Sequence, residues 1–143
     1  MQVDKRFVPE GLRYDRNDYW VDAAAGEAVI GLTAFGQDVA GDILYLELPP
    51  VGSSVGRGVD CGSIESGKWV GRLLPPVTGI VLEKNNVLEA DPSGINLDPY
   101  GDGWLIKVRL ADTAEVEELL NPVAYREWIE EQIRREQEEE AVL

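Results

Sequence analysis

Apolar and polar positions alternate with a period of two over Trp104–Leu110. Trp104, Ile106, Val108 and Leu110 share one face of the predicted strand, and Lys107 and Arg109 point to water. Residues 43–48 are apolar at nearly every position, which predicts an interior strand that Pro49-Pro50 ends. Residues 19–21, 27–32, 60–65, 69–74 and 79–83 read as further short strands between turn residues. This punctuation predicts a mainly β fold, a small sandwich or flattened barrel. Two helical stretches interrupt it. Residues 34–40 predict one or two turns. At the end of the chain Asn121 can cap a helix whose first position is Pro122. Tyr125, Trp128, Ile129 and Ile133 then fall on one face, which predicts packing on the sheet. From Arg134 onward RREQEEE has no apolar stripe and reads as a solvated helix end or frayed tail. No repeat and no linker divides the chain. The expectation is a single domain, residues 1–143, with 121–143 as C-terminal helix and acidic tail.

Composition narrows the function. The 143 residues contain 13 Lys and Arg against 27 Asp and Glu, a formal charge of −14. Such a surface repels phosphate and lacks the basic cluster whose counterion release drives nucleic-acid binding, and anionic membranes are disfavoured for the same reason. There is no histidine, which removes Ser-His-Asp and Cys-His triads and every histidine-containing zinc site. The single cysteine, Cys61, permits no internal disulfide and fits a reducing cytoplasm. No apolar run approaches the ~20 residues that span a bilayer, and the first residues lack the apolar stretch of a signal peptide. A soluble cytoplasmic domain with poor means of catalysis is expected, with no metal site and no nucleic-acid or membrane partner.

Residues 62–68, GSIESGK, match the glycine and lysine spacing of a phosphate-binding loop. That loop needs Ser or Thr after the lysine and a helix behind it. Here Trp69 follows, and WVGRLLPPV contains two prolines, so no such helix can form. Read as β structure, residues 61–65 are one strand, 69–74 its return, and Ser66-Gly67-Lys68 the turn, with Gly67 supplying a left-handed conformation. Lys68 then stands at a hairpin tip with water on all sides. Geometry alone favours an ordinary exposed turn lysine over a lysine offered to another protein's active site.

A resemblance changes the balance. ESGK at residues 65–68, followed by PVTG at 76–79, is similar to the lipoyl-lysine hairpin of the glycine cleavage H proteins. Val8-Pro9 with Leu12-Arg13-Tyr14 resembles the family's opening strand. Tyr19-Trp20-Val21 falls where the family carries a His-Glu-Trp-Val-like segment, and Gly41-Asp42-Ile43 through Glu47-Leu48-Pro49 resembles its central strand. Asn96, Asp98-Pro99-Tyr100-Gly101 and Gly103-Trp104-Leu105 are similar to its NxDPYGxGWL string. The resemblance implies a hybrid barrel-sandwich (lipoyl-domain-like) fold and lipoic acid attached to Lys68 through an amide. It implies that Glu65 and Ser66 help the attaching enzyme recognise the hairpin, with Gly67 and Trp69 flanking the lysine in the expected site, and that Gly79 is a turn glycine on a facing loop. The protein is then no enzyme but a carrier, whose swinging arm raises the effective concentration of its cargo at each partner.

The hairpin departs from the family. ESGKWVGR stands where H proteins usually continue ESVKA, and Asp18 replaces the histidine of the HEW-like segment. ESGKWVG with a preceding cysteine is more similar to the lipoate-binding proteins that work beside heterodisulfide-reductase-like complexes in sulfur oxidation. The first expectation is therefore an arm carrying sulfur-containing intermediates. The alternatives are an H protein carrying an aminomethyl group for the glycine cleavage enzymes, and an unmodified interaction module. The implied partners are a lipoate-attaching ligase or transferase, one of those enzyme sets, and dihydrolipoamide dehydrogenase.

Three further residue groups have open readings. Trp69 either packs over the arm through sulfur–aromatic attraction or shields a cross-strand neighbour. Cys61 lies five strand residues from Ser66, about 17 Å at ~3.3 Å per residue, and reads as a small apolar strand residue. Asp98 and Asp102 read as turn formers bonded to their own backbone.

Overall fold

The computed structural model describes residues 3–142; Met1, Gln2 and Leu143, the extremes of the expected 1–143 domain and 121–143 tail, lie outside them. Among the described residues the order is β1 (Arg13–Tyr14), β2 (Tyr19–Ala24), β3 (Glu27–Leu32), α1 (Ala34–Ala40) and β4 (Ile43–Glu47). There follow β5 (Ser54–Val55), β6 (Ser63–Ser66), β7 (Val70–Arg72), β8 (Gly79–Lys84), α2 (Asn86–Ala90) and α3 (Gly94–Leu97). β9 (Trp104–Leu110), α4 (Ala114–Glu117) and α5 (Pro122–Val142) complete the chain. None of these helices is long and apolar enough to cross a membrane.

The strands form two antiparallel sheets, one ordered β1-β2-β3-β9-β8-β5 and a smaller one ordered β4-β6-β7. Their inner faces share one core. Ile43, Leu46, Leu48, Ile64 and Leu73 from the small-sheet side meet Val21, Ile30, Val81, Leu105 and Val108 of the large sheet. This mainly β, barrel-sandwich arrangement agrees with the expected class. The outer face of the large sheet is covered too. Because successive strand residues point to opposite faces, Val21 enters the core while Trp20 points outward. There it joins Tyr14, Phe35 and the α5 residues Tyr125, Ile129 and Ile133. Asn121 caps α5 as expected, its Oδ1 accepting from the Ala124 amide at 2.8 Å. The helix continues past Arg134, whose guanidinium pairs with Glu131 and Glu138.

Two pattern readings are corrected. The β3–β9 register runs from Ile30 opposite Ile106 to Gly31 opposite Trp104, leaving Leu105 as an extra residue. This bulge turns Trp104 toward the α5 side and places Leu105 and Ile106 together in the core. The strand at 43–48 is not interior. β4 is an edge of the small sheet, whose outer face is open, and a bulge between Ile43 and Tyr45 leaves Leu44 unpaired, so Leu44 and Tyr45 are 68% and 51% exposed.

Candidate functional site

The hairpin predicted around Lys68 is present but shorter and irregularly based. β6 and β7 pair with Glu65 opposite Val70, leaving Gly67 and Lys68 as a two-residue loop closed by the Ser66 amide donating to the Trp69 carbonyl at 2.8 Å. Cys61 and Gly62 lie outside β6. They are tied to the return strand by the Cys61 amide on the Leu73 carbonyl and the Leu73 amide on the Gly62 carbonyl. Neither Gly67 nor Lys68 has positive φ. The turn is therefore neither type I′ nor type II′, the forms whose twist matches a hairpin. The expected left-handed glycine is absent, and a Cβ on Gly67 would meet nothing within 4 Å. Fold and space both leave position 67 free to bear a side chain.

Lys68 is exposed and forms no ion pair among the described residues. It does not have water on every side, however. Its stem lies over Gly41, where a Cβ would come 2.8 Å from Lys68 Cε. Ser66 Oγ donates to the Ala40 carbonyl at 2.5 Å and accepts from the Lys68 amide at 3.3 Å. The tip thus rests on the turn between α1 and β4. A shallow groove beside it is lined by Gln37, Gly41, Leu44, Gly67, Lys68 and Asn96.

The other expected site residues separate into near and far. Glu65 lies in a row with Tyr45 and Val70, both exposed, on the open face of the small sheet. Trp69 is 41% exposed, and its indole lies back on Gly71, two residues along its own chain, where a Cβ would overlap the ring. This contact runs along its own chain, beside the return strand of the hairpin. Gly79 sits on no facing loop. It opens β8 in the large sheet, between Val55 and Leu110, where a Cβ would overlap the Arg109 carbonyl. Cys61 is half-buried against the main core, and burial, helped by Asp60, pushes its thiol up to about 11. At neutral pH it is a protonated thiol. Asp98 accepts from the Asp102 amide at 2.9 Å, and its carbonyl accepts from Gly101 and Gly103, so it shapes its own loop.

Sequence reasoning passed over Asn96, although it begins the string NxDPYGxGWL. Tyr100 and Asn96 hold the two ends of α1. The Ala34 amide donates to Tyr100 Oη at 3.1 Å at the first turn, and Asn96 binds the backbone just beyond the last. The visible signal was an asparagine in a loop otherwise built for turning. Its partners, 53 and 55 residues away, had none.

Asp18 stands where the family resemblance expects histidine. Its carboxylate accepts from Tyr125 Oη at 2.8 Å and Trp128 Nε1 at 3.4 Å, tying α5 to the start of β2. Burial pushes the Asp18 carboxyl up to about 6, against the lowering effect of those two donors.

Comparison with known proteins gives consistent matches. The family model for glycine cleavage H-protein matches residues 12–132. A probable glycine cleavage system H protein from Haloarcula marismortui is 43% identical over 123 residues, 86% of this chain and 97% of its own length. A glycine cleavage system H protein from an Anaeromyxobacter species is 41% identical over 125 residues, 87% of this chain and 98% of its own. The crystal structure of a glycine cleavage system H protein from Mycobacterium marinum superposes with a TM-score of 0.75 at 35% identity. That superposition covers 82% of this chain and 95% of the other.

Proposed function

The chain belongs to the glycine cleavage H-protein family, and on that premise we propose that Lys68 is its lipoyl-bearing residue and that it serves glycine cleavage. Members of this family are non-catalytic carriers with lipoic acid covalently attached to a lysine. Residues 1–143 act as one carrier domain in this reading. The observation that carries it is Lys68 itself, an exposed amine without an ion-pair partner among the described residues, on a two-residue loop beside a bare glycine. The residues present fit the group: the tip is narrow enough to enter another enzyme's cleft, and nothing overhangs position 67. Bound lipoate supplies a dithiolane on a long flexible arm.

The protein's own residues supply presentation. Gly67 leaves one flank of the lysine clear, Ser66 ties the tip to the body, and Glu65 faces the solvent-open side that a partner meets. The partners are a lipoate-attaching enzyme and the glycine cleavage enzymes. The hairpin-based expectation of sulfur oxidation beside a heterodisulfide-reductase-like complex gains no support. The relatives described above carry glycine cleavage names.

Intact mass after incubation with a lipoate-attaching enzyme and lipoate tests the proposal. One lipoyl adduct is expected on the wild-type chain and none on Lys68→Arg. An unmodified wild-type chain, or an adduct that survives Lys68→Arg, overturns it.

A further inference from the structure

The seat under the hairpin tip is a turn that cannot satisfy its own backbone. Gly41 ends α1 at φ +85°, ψ −170°, a conformation that favours glycine, so the chain leaves the helix abruptly before β4 begins at Ile43. The Gly41 carbonyl and the Ile43 amide are both taken by one side chain. Asn96 Nδ2 donates to the Gly41 carbonyl at 2.9 Å, and its Oδ1 accepts from the Ile43 amide at 2.9 Å. The second Nδ2 proton goes to Gln37 Oε1 at 3.0 Å, and Gln37 Nε2 donates to the Ala34 carbonyl at 2.9 Å. Aspartate could serve the Ile43 amide but would turn an acceptor on the Gly41 carbonyl. The side chain at 96 therefore has to be an amide.

Asn96 grips this turn from one side, and the hairpin tip uses the other. The Ala40 carbonyl takes the Ser66 hydroxyl, and the bare Gly41 receives the Lys68 stem. The tip has particular need of such a seat, since its two-residue loop lacks the twist that makes hairpin turns self-supporting. We propose that Asn96 is a positioning residue for acylation of Lys68. By fixing residues 40–43 it holds the seat that sets the direction in which the amine leaves the tip.

The inference rests on the reading of Lys68 as the acylated lysine. In that step an activated lipoyl donor, a mixed anhydride or ester, meets Nζ. The amine gives up a proton, the N–C bond forms to the lipoyl carbonyl, and the donor's leaving group departs with the electrons of the bond that breaks. Holding the nucleophile in one orientation lowers the entropic part of that barrier.

A double-mutant cycle on the full chain tests it, with Asn96→Ala, Ser66→Ala and both together. Acylation by a lipoate-attaching enzyme is followed by intact mass, and order parameters of the Gly67 and Lys68 amides by nitrogen relaxation. Each single change is expected to lower kcat roughly three- to tenfold, the range of one hydrogen bond. For Asn96→Ala KM should move less than about twofold, because the side chains of the tip itself are unchanged. The double variant should be no slower than the slower single, since both act on one contact. Order parameters at the tip should fall below about 0.6 while those of β9 stay near 0.85. Multiplying effects, or an unchanged kcat in Asn96→Ala, overturn the proposal. If Asn96→Ala does not fold, Gln37→Ala loosens the amide from its helix side, and an unaltered tip in both Gln37→Ala and Ser66→Ala overturns it equally. A wild-type chain that takes no lipoyl group defeats the reading of Lys68, and the relaxation data then decide the positioning claim separately.

Discussion

At position 67 the residue identity and the local structure disagree, and the disagreement is informative. Glycine is needed neither for φ nor for space, so its removal should stabilise the chain by restricting the unfolded state. Gly67→Ala is expected to add about 0.4–1 kcal/mol in a urea titration. A loss of more than about 1 kcal/mol would mean that the turn depends on glycine after all. Asp18 presents the opposite case, a residue whose chemistry the fold resists. Its carboxyl, like that of Asp15, rises from an ordinary value to about 6 because burial disfavours the charge. The native state thus holds these protons more tightly than the unfolded chain. Their contribution is full below about pH 4 and lost as pH rises through 6. Asp18→Asn keeps an acceptor for Tyr125 and Trp128 and tolerates the backbone φ of +67°. Thermal melts from pH 4 to pH 7.5 should show a smaller loss of stability in the variant, by about 1–3 kcal/mol. Parallel curves would show that Asp18 does not titrate in that window.

At the level of elements, α5 does two separate things along its length. Its first half closes the outer face of the large sheet, with Tyr125 stacked on Tyr14 at 4.5 Å between ring centres and Ile129 only 1% exposed. From Arg134 onward it is exposed on every side. Denaturant melts should separate the two halves. Ile129→Ala should cost about 2–5 kcal/mol, as truncation in a packed core does. Glu139→Gln should stay within about 0.5 kcal/mol. Comparable losses at both positions would mean that the distal half packs on something. The helix was readable from its cap and its apolar stripe because both are local. α3 was not, being four residues with no periodicity of their own, held in place by the loop around Asp98. Asn96 went unassigned for the same reason: a helix of that length carries no pattern in one dimension.

Across the molecule, charge outweighs pairing. With 27 acidic and 13 basic side chains the acidic excess is fourteen charges, and among the described residues most ion pairs are on the surface. Exposed pairs contribute little, whereas the excess repels itself over a range set by the Debye length. Raising ionic strength from about 0.01 M to about 0.15 M shortens that length from roughly 30 Å to 8 Å. The melting temperature should rise over this interval. A fall would mean that the surface pairs stabilise the fold more than the excess charge destabilises it.

What the amino-acid order determined by itself is whatever depends on near neighbours. The short strands, the extent of α1, the cap and buried stripe of α5 and the exposure of a hairpin lysine all follow from spacing, turn residues and periodicity within a dozen positions. Tertiary structure decided the rest. A bulge at Leu105 reversed the facing of Trp104, because register is set by the partner strand. The open outer face of the small sheet and a bulge at Leu44 left Leu44 and Tyr45 in water, because hydrophobicity alone tells a strand neither its register nor how many faces will be covered. The seat beneath Lys68 joins side chains and backbone from β6, α1 and α3. Its geometry came into being only when the folded core brought those segments together.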